Sequence, residues 1–482
     1  MNPLRSHSVR VAAATIALLA QATSAGGQAS ASGARTIPIK FEKYTLPNGL
    51  TVILSEDHST PRVAVNVQYH VGSKNEQIGR TGFAHLFEHV MFTGSGHIPY
   101  GTHDRLTEGV GGGNNAFTAN DITHYYETVP SNYLESALWL ESDRMGWLLD
   151  KLDLAKYNAQ RDIVKNERRQ GVDNQPYGRV DEILASATYP KTHPYSWPVI
   201  GSMIDLSSAS IEDVKSFFRQ YYAPNNATLA IVGDFDPVRT KTLITKYFAE
   251  IPRGRPITRP RVAPVTLQAE KRLLYEDRVE VPRLYLHWPG VGARDDDTYA
   301  LDLLSDMLAG SRIARLTKEL VYDKQSAAEV RAFNNTNEDV GEFQISITPR
   351  PEHTLTALEA ATDSIIARFK REGPTADELK RAKAGLELGF VSGLESNLGK
   401  GIRLAMGQSY FNDPSRAFTV DFQKYQSVTA EDVKRVANKY LTSGRVVLSV
   451  VPAGKKNLAS KPDKSTPVPD ATAVPHTEME NN

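Results

Sequence analysis

The phrase Glu212-Asp213-Val214-Lys215 returns as Glu431-Asp432-Val433-Lys434, at an offset of 219 residues. Its setting returns with it. On the first occasion Ser210 to Tyr222 has a helical apolar period opened by a capping residue, and leads through Pro224-Asn225-Asn226 into the strand-like run Ala227 to Gly233. On the second, Thr429 to Tyr440 leads into the run Arg445 to Val451. Pro61-Arg62 and Pro282-Arg283, each opening an alternating strand, repeat at an offset of 221 residues. A chain of 482 residues with these correspondences reads as one unit of roughly 220 residues duplicated. The Arg- and Pro-rich stretch Arg253 to Pro264 is the connection between the copies. The expected divisions are a first domain over 37–252, a linker over 253–268 and a second domain over 269–454.

Within the first copy, Tyr44 to Leu54 has a turn at Pro47-Asn48-Gly49 between two strand-like runs, and Arg62 to His70 alternates with period two. A helix-like segment follows. Strand, strand, strand, helix predicts an α+β layer, so the expected fold is two homologous domains, each a mostly antiparallel sheet packed with helices. Gly109 to Thr118 is not a phosphate loop: no Gly-Lys-Ser/Thr ending follows, and Ala116-Phe117-Thr118 prefers strand. A Gly-rich turn feeding an edge strand is expected there, able to hold an extended peptide by backbone hydrogen bonds.

The helix-like segment carries the chemistry. Phe83 to Phe92 is apolar and free of Pro and Gly, yet contains His85, Glu88 and His89, and Thr93-Gly94-Ser95-Gly96 ends it. On a helix the two imidazoles share a face and can converge on one zinc ion, with Glu88 beside them to take a proton from a zinc-bound water. A second helical pattern runs from Leu154 to Gln170, where the spacing puts Glu167 on the same inward face as Ile163 and Val164. A carboxylate there needs a partner, and zinc is one. A salt bridge to Arg161 or Arg168 is the alternative, and Asp162 the fallback ligand. His58, His70, His97, His103, His124 and His193 stand singly and are assigned solvent or structural roles. No histidine occurs from 288 to 352, so the second copy lacks a counterpart of the motif.

Composition narrows the setting. Lys and Arg total 56, as do Asp and Glu, with no block of one sign, which argues against nucleic acid or an acidic membrane surface as partner. Cysteine is absent, which removes disulfides, thiol catalysis and Cys-ligated zinc. Arg5 and Arg10, the apolar run Val11 to Ala20 and Thr23-Ser24-Ala25 read as a secretory signal peptide over 1–25, with a mitochondrial transit peptide as the rival. Residues 26–36 are expected to be a disordered spacer and 455–482 a disordered tail. The protein is then periplasmic or secreted, without a stable membrane anchor.

With His85-x-x-Glu88-His89, a glutamate after a 77-residue gap, Asn115-Ala116-Phe117-Thr118, and Tyr222-Ala223-Pro224-Asn225 followed by Gly233-Asp234, the sequence resembles the insulinase/pitrilysin family of zinc peptidases. The match is to its two-domain branch, which includes mitochondrial processing peptidase subunits and bacterial relatives. The resemblance implies a zinc endopeptidase with one Zn2+ per chain, ligands His85, His89 and Glu167, general base Glu88, and substrate alignment at Asn115 and Ala116. It also implies pairing of two-domain subunits into a clam-like chamber. Two departures stand out. Gln160 occupies a place that usually holds a glutamate, seven residues before the ligand glutamate, and keeps only a capacity to support the ligands by hydrogen bonding. Val321 and Ala328 stand where family chains that complete the site carry an Arg and a Tyr, with Tyr322 one residue out of register. The expectation is therefore a zinc-bearing subunit whose homologous partner supplies the Arg/Tyr pair, with a homodimer as the alternative. The competing reading is a non-catalytic peptide-binding or assembly subunit.

Overall fold

The computed structural model describes residues 39–259 and 262–468, and contains two six-stranded sheets. In the first half the strands are β1 (Glu42–Thr45), β2 (Thr51–Glu56), β3 (Arg62–Tyr69), β4 (Gly113–Thr118), β5 (Thr123–Pro130) and β6 (Ala227–Gly233). In the second they are β7 (Lys271–Asp277), β8 (Arg283–Val291), β9 (Ala327–Thr336), β10 (Val340–Pro349), β11 (Val446–Pro452) and β12 (Thr466–Pro467). The orders, β1-β2-β6-β3-β5-β4 and β12-β7-β11-β8-β10-β9, superpose strand for strand from the second position onward. Only β2–β6 in the first sheet, and β7–β11 and β12–β7 in the second, are parallel pairs. The sheets are thus mixed and mostly antiparallel.

Helices α1 (Phe83–Val90), α2 (Thr102–Glu108), α3 (Leu134–Trp147), α4 (Leu154–Arg168), α5 (Val180–Thr188), α6 (Met203–Ser208), α7 (Ile211–Tyr221) and α8 (Pro237–Phe248) belong to the first half. The second holds α9 (Asp297–Ala309), α10 (Leu355–Glu372), α11 (Ala376–Ser392), α12 (Asn397–Phe411), α13 (Val420–Ser427) and α14 (Ala430–Tyr440). The repeated phrase has a local cause. Ser210 and Asp213 form a capping box at α7, and Thr429 and Asp432 form one at α14, each pair satisfying two otherwise unbonded backbone amides. The strands that follow, β6 and β11, are buried at every position, which explains their continuous apolar character.

They are buried because the halves cover each other's sheets. Helix α5 of the first half packs Val180, Ile183 and Leu184 on Tyr285, Val446, Leu448 and Val450 of the second sheet. Helix α12 of the second half returns the cover, placing Leu404 and Ala405 with Ile53, Ala230 and Val232 of the first sheet. Each large apolar side chain buried there contributes about 1.5–3 kcal/mol.

Expected and observed boundaries differ at the C-terminal end. The segment 253–268 contains no helix or strand among its described residues. The tail expected from Lys455 is instead ordered through Val468. Ser460 is fully buried and accepts from Arg272, and the Val468 amide donates to Leu274 O at 2.7 Å beside β12. Beside these polar bonds, Ala459 and Leu458 pack on Leu274 and Val451, too few apolar contacts to set a period in the sequence. The leader and spacer assigned to 1–36 lie outside the described residues, as does 469–482. No helix among the described residues is long and apolar enough to cross a membrane.

Candidate metal centre

Helix α1 buries Phe83, Ala84, Leu86, Phe87 and Val90 and turns His85, Glu88 and His89 toward α4. Its start is fixed by two devices. Gly82 takes φ 92°, and a Cβ there would lie 2.8 Å from Ile200 O, so only glycine fits. The buried Glu76 carboxylate accepts from the Gly82 and Ala84 amides at 2.9 and 2.8 Å, putting an acceptor at the helix N-terminus.

Helix α4 begins at Asp153, whose side chain accepts from the Lys156 amide, and buries Tyr157, Gln160, Val164 and Arg168. Val164 faces inward as expected, but Ile163 is exposed, so the inward face runs one position differently from the spacing argument. Glu167 lies at the edge of that face. Its carboxylate is 3.2 Å from His89 Nε2 and 3.8 Å from His85 Nε2. The alternative partners are engaged elsewhere: Arg161 approaches Asp162, while Arg168 bonds Gly201 O and Glu182. Asp162, the fallback ligand, is exposed and outside the cluster.

One donor atom from each of His85, His89 and Glu167 lies within 4.8 Å of the other two. Burial pushes the His85 imidazole down to about 4, helped by His89. Burial also lowers His89, against the pull of Glu167. Both shifts favour the neutral rings, which present lone pairs. Three such donors facing one another, two imidazole nitrogens and a carboxylate oxygen, fit a cation of the zinc type. Glu88 stands beside them. Burial and then Glu167 push its carboxyl up, opposed by the Thr118 hydroxyl, which donates to Oε2 at 2.7 Å.

Thr118 was not anticipated, although period two along β4 places it on the same side as the buried Ala116, facing α1. Strand β4 is the sheet edge, as expected. Asn115 is exposed there, its side-chain oxygen accepting from the Ala116 amide. A cleft of about 380 Å³ opens beside Glu88 and His89, walled by Phe92, Tyr100, Asp104, Asn114, Asn115, Gln160 and Ile163. Gln160, nearly buried, lines the same cleft as His89. A larger cavity, of about 940 Å³, lies against the second sheet and contains none of these residues.

Known proteins are similar to this chain over most of its length. A family model described as Insulinase (Peptidase family M16) matches residues 51–200, and one described as Peptidase M16 inactive domain matches 208–386. The zinc protease PqqE of Helicobacter pylori is 30% identical over 406 residues, covering 83% of this chain and 90% of that protein. A probable mitochondrial-processing peptidase subunit beta of Arabidopsis thaliana is 23% identical, covering 84% and 77%. Among solved structures, a protease from Helicobacter pylori superposes with TM-score 0.80 at 29% identity, over 86% of this chain and 100% of that one. The first half of the periplasmic protease PqqL from Escherichia coli shares the fold, with TM-score 0.70 at 19% identity over 90% and 95%.

Proposed function

This chain belongs to the insulinase (M16) family of peptidases, and from that premise we propose that it is a zinc-dependent endopeptidase cutting peptides or unfolded polypeptides, as the zinc-bearing subunit of a heterodimer. The observation that carries the reading is the convergence of His85, His89 and Glu167 beside the Glu88 carboxylate. These three residues would hold one zinc ion per chain. When bound, it supplies Lewis acidity, lowering the pKa of a water toward about 7 and polarising the scissile carbonyl.

The protein's own groups do the rest. Glu88, held by Thr118, accepts a proton from the attacking water and returns it to the leaving amine. The free edge of β4, at Asn115 and Ala116, pairs with the extended peptide and lays it across the α1 face. Gln160 supports the donors without adding charge.

The heterodimer rests on two side chains. Val321 packs on the second core and Ala328 is exposed, and neither offers a charge or a hydroxyl to a substrate or an oxyanion. A homologous chain with the Arg/Tyr pair closes the site in this reading, and a homodimer is the alternative. Export through the leader at 1–25 belongs to the same proposal, with the mitochondrion as the rival destination.

The test is metal content together with cleavage of an unstructured peptide library by the chain alone and with candidate homologous partners. Near-stoichiometric zinc, and cleavage that a chelator abolishes, are expected. Peptide capture without fragments would replace the enzyme by a binding subunit. Full activity of the chain by itself would remove the heterodimer.

A further inference from the structure

The turn joining β4 to β5 meets the turn joining β9 to β10. These hairpins hold equivalent places in the two sheets, so the catalytic half's substrate hairpin touches its own counterpart tip to tip. Asp121, in the first turn, accepts from the Glu338 amide at 2.8 Å and from the Tyr195 hydroxyl at 2.5 Å. Lys74 lies between the two turns. Its ammonium contacts Asp121 at 2.7 Å, Asp339 at 3.0 Å, and Glu338. The Glu338 carboxylate further contacts His70 Nε2 at 2.8 Å and the Arg294 guanidinium. Asp121 and Glu338 are 1% and 2% exposed. Their oxygens and that of Asp339 come close enough together to suggest a metal site, but the Lys74 ammonium already neutralises them. Burial works against the Glu338 charge, yet His70 and Lys74 hold its carboxyl well below the usual range. The network is closed.

Two chain segments run from it to the active site. Ser73 and Lys74 donate their amides to Ala119 and Asn120 of the β4–β5 turn, and Gly72 approaches so closely that a Cβ would stand 2.2 Å from Ala119 O. Two residues past Lys74 is Glu76, which caps α1. Three residues before Asp121 is Thr118, which holds Glu88. The network thus grips both the strand that would carry substrate and the loop that sets the metal helix.

We infer that Glu338, in the half without metal ligands, is a positioning residue for the catalytic half: with Lys74 and Asp121 it fixes the β4–β5 hairpin against α1. The inference rests on the peptidase reading for its kinetic consequence only. Its structural consequence is local. A buried, charge-assisted contact of this kind, once broken, releases the groups it holds rather than the whole fold.

The experiment uses the full chain, zinc-loaded and with its partner if one is required, as wild type, Glu338→Ala, and Glu338→Gln, which keeps the side-chain volume should the alanine variant fail to fold. Amide hydrogen exchange, zinc content, and kcat and KM on an unstructured peptide are measured. Exchange over 113–123 and 73–84 should rise about tenfold, with β6 and β11 unchanged and zinc retained. KM should rise more than kcat falls, because the hairpin edge binds the peptide. A uniform rise over both sheets, or no rise in the hairpin, overturns the inference. Hairpin loosening in a protein whose wild type cuts no peptide upholds it and overturns the peptidase reading instead.

Discussion

In the first half, the helix after the third strand, α1, turns two imidazoles and a carboxylate toward α4 and leaves Glu88 and His89 facing an open cleft. In the second half α9 holds the corresponding place after β8 and packs against α11, but it carries no histidine. A half-buried carboxylate on it, Asp302, accepts from the Tyr425 hydroxyl and from Asn334 Nδ2, the latter at 2.9 Å. The comparison separates what a duplicated fold must keep from what it can lose. Capping boxes, buried strands and the exchanged helices α5 and α12 recur because the sheets cannot be covered without them. Metal donors stabilise nothing when no metal is bound, and a carboxylate left on that face is stable only with hydrogen-bond donors of its own.

The sharpest way to break the comparison is Glu88→Gln. The substitution keeps the shape of α1 and should keep zinc, while peptide turnover falls by about 10²–10⁴-fold; undiminished cleavage would remove Glu88 as the base. Next in size is the mutual covering of the halves. Leu404→Ala empties a fully buried place on α12 against the first sheet, and should cost about 2–5 kcal/mol in denaturant unfolding. Both halves should lose stability together. Two separate transitions, with the first half unaffected, would show that the covering is dispensable.

Thr118→Val tests whether the open donors are positioned from the sheet. Losing a hydroxyl that donates to a carboxylate should lower kcat about tenfold with zinc retained, read in steady-state kinetics.

The smallest effect is one of pH, and the halves should differ in sign. Burial pushes the Glu127 carboxyl up to about 8, against the attraction of Arg144, and neither of its oxygens has a hydrogen-bond partner. The native state then keeps a proton that the unfolded chain loses near 4.5. Its stabilisation is complete below that value and disappears as pH rises through about 8. In the second half burial opposes ionisation of Glu359, but bonds from Arg272, Lys461 and Ser460 bring it down to about 2, so its contribution is present above 4.5 and is lost toward acid. Glu127→Gln should flatten the fall of Tm on the alkaline side, and Glu359→Gln the fall on the acid side. Identical pH profiles in both variants and wild type would remove the distinction.

Much of this was legible beforehand. The two capping phrases and the alternating and continuous apolar runs have purely local causes, so the elements they mark could be read residue by residue. His85, Glu88 and His89 were legible because they are three and four residues apart on one helix. Glu167 was legible only as a carboxylate needing a partner, and the same argument misplaced the exposed Ile163. Ordering of the tail through Val468 was missed because Arg272, Glu359 and Ser460, which hold it, are far apart in the chain. His70, assigned a solvent or structural role with the other single histidines, has a structural one in the contact between the halves, which its sequence neighbours did not reveal.

The sequence by itself determined the duplication, the helix that bears the motif and the neutral, cysteine-free composition that excludes whole classes of chemistry. These depend on spacings of a few residues, which backbone geometry translates directly into faces and caps. Only the tertiary structure decided that Glu167 meets both histidines, that Thr118 holds Glu88, that each half covers the other's sheet, and that Glu338 reaches Asp121 across more than 200 positions of chain. Such pairings follow from how the sheets pack as wholes, and no local period encodes them.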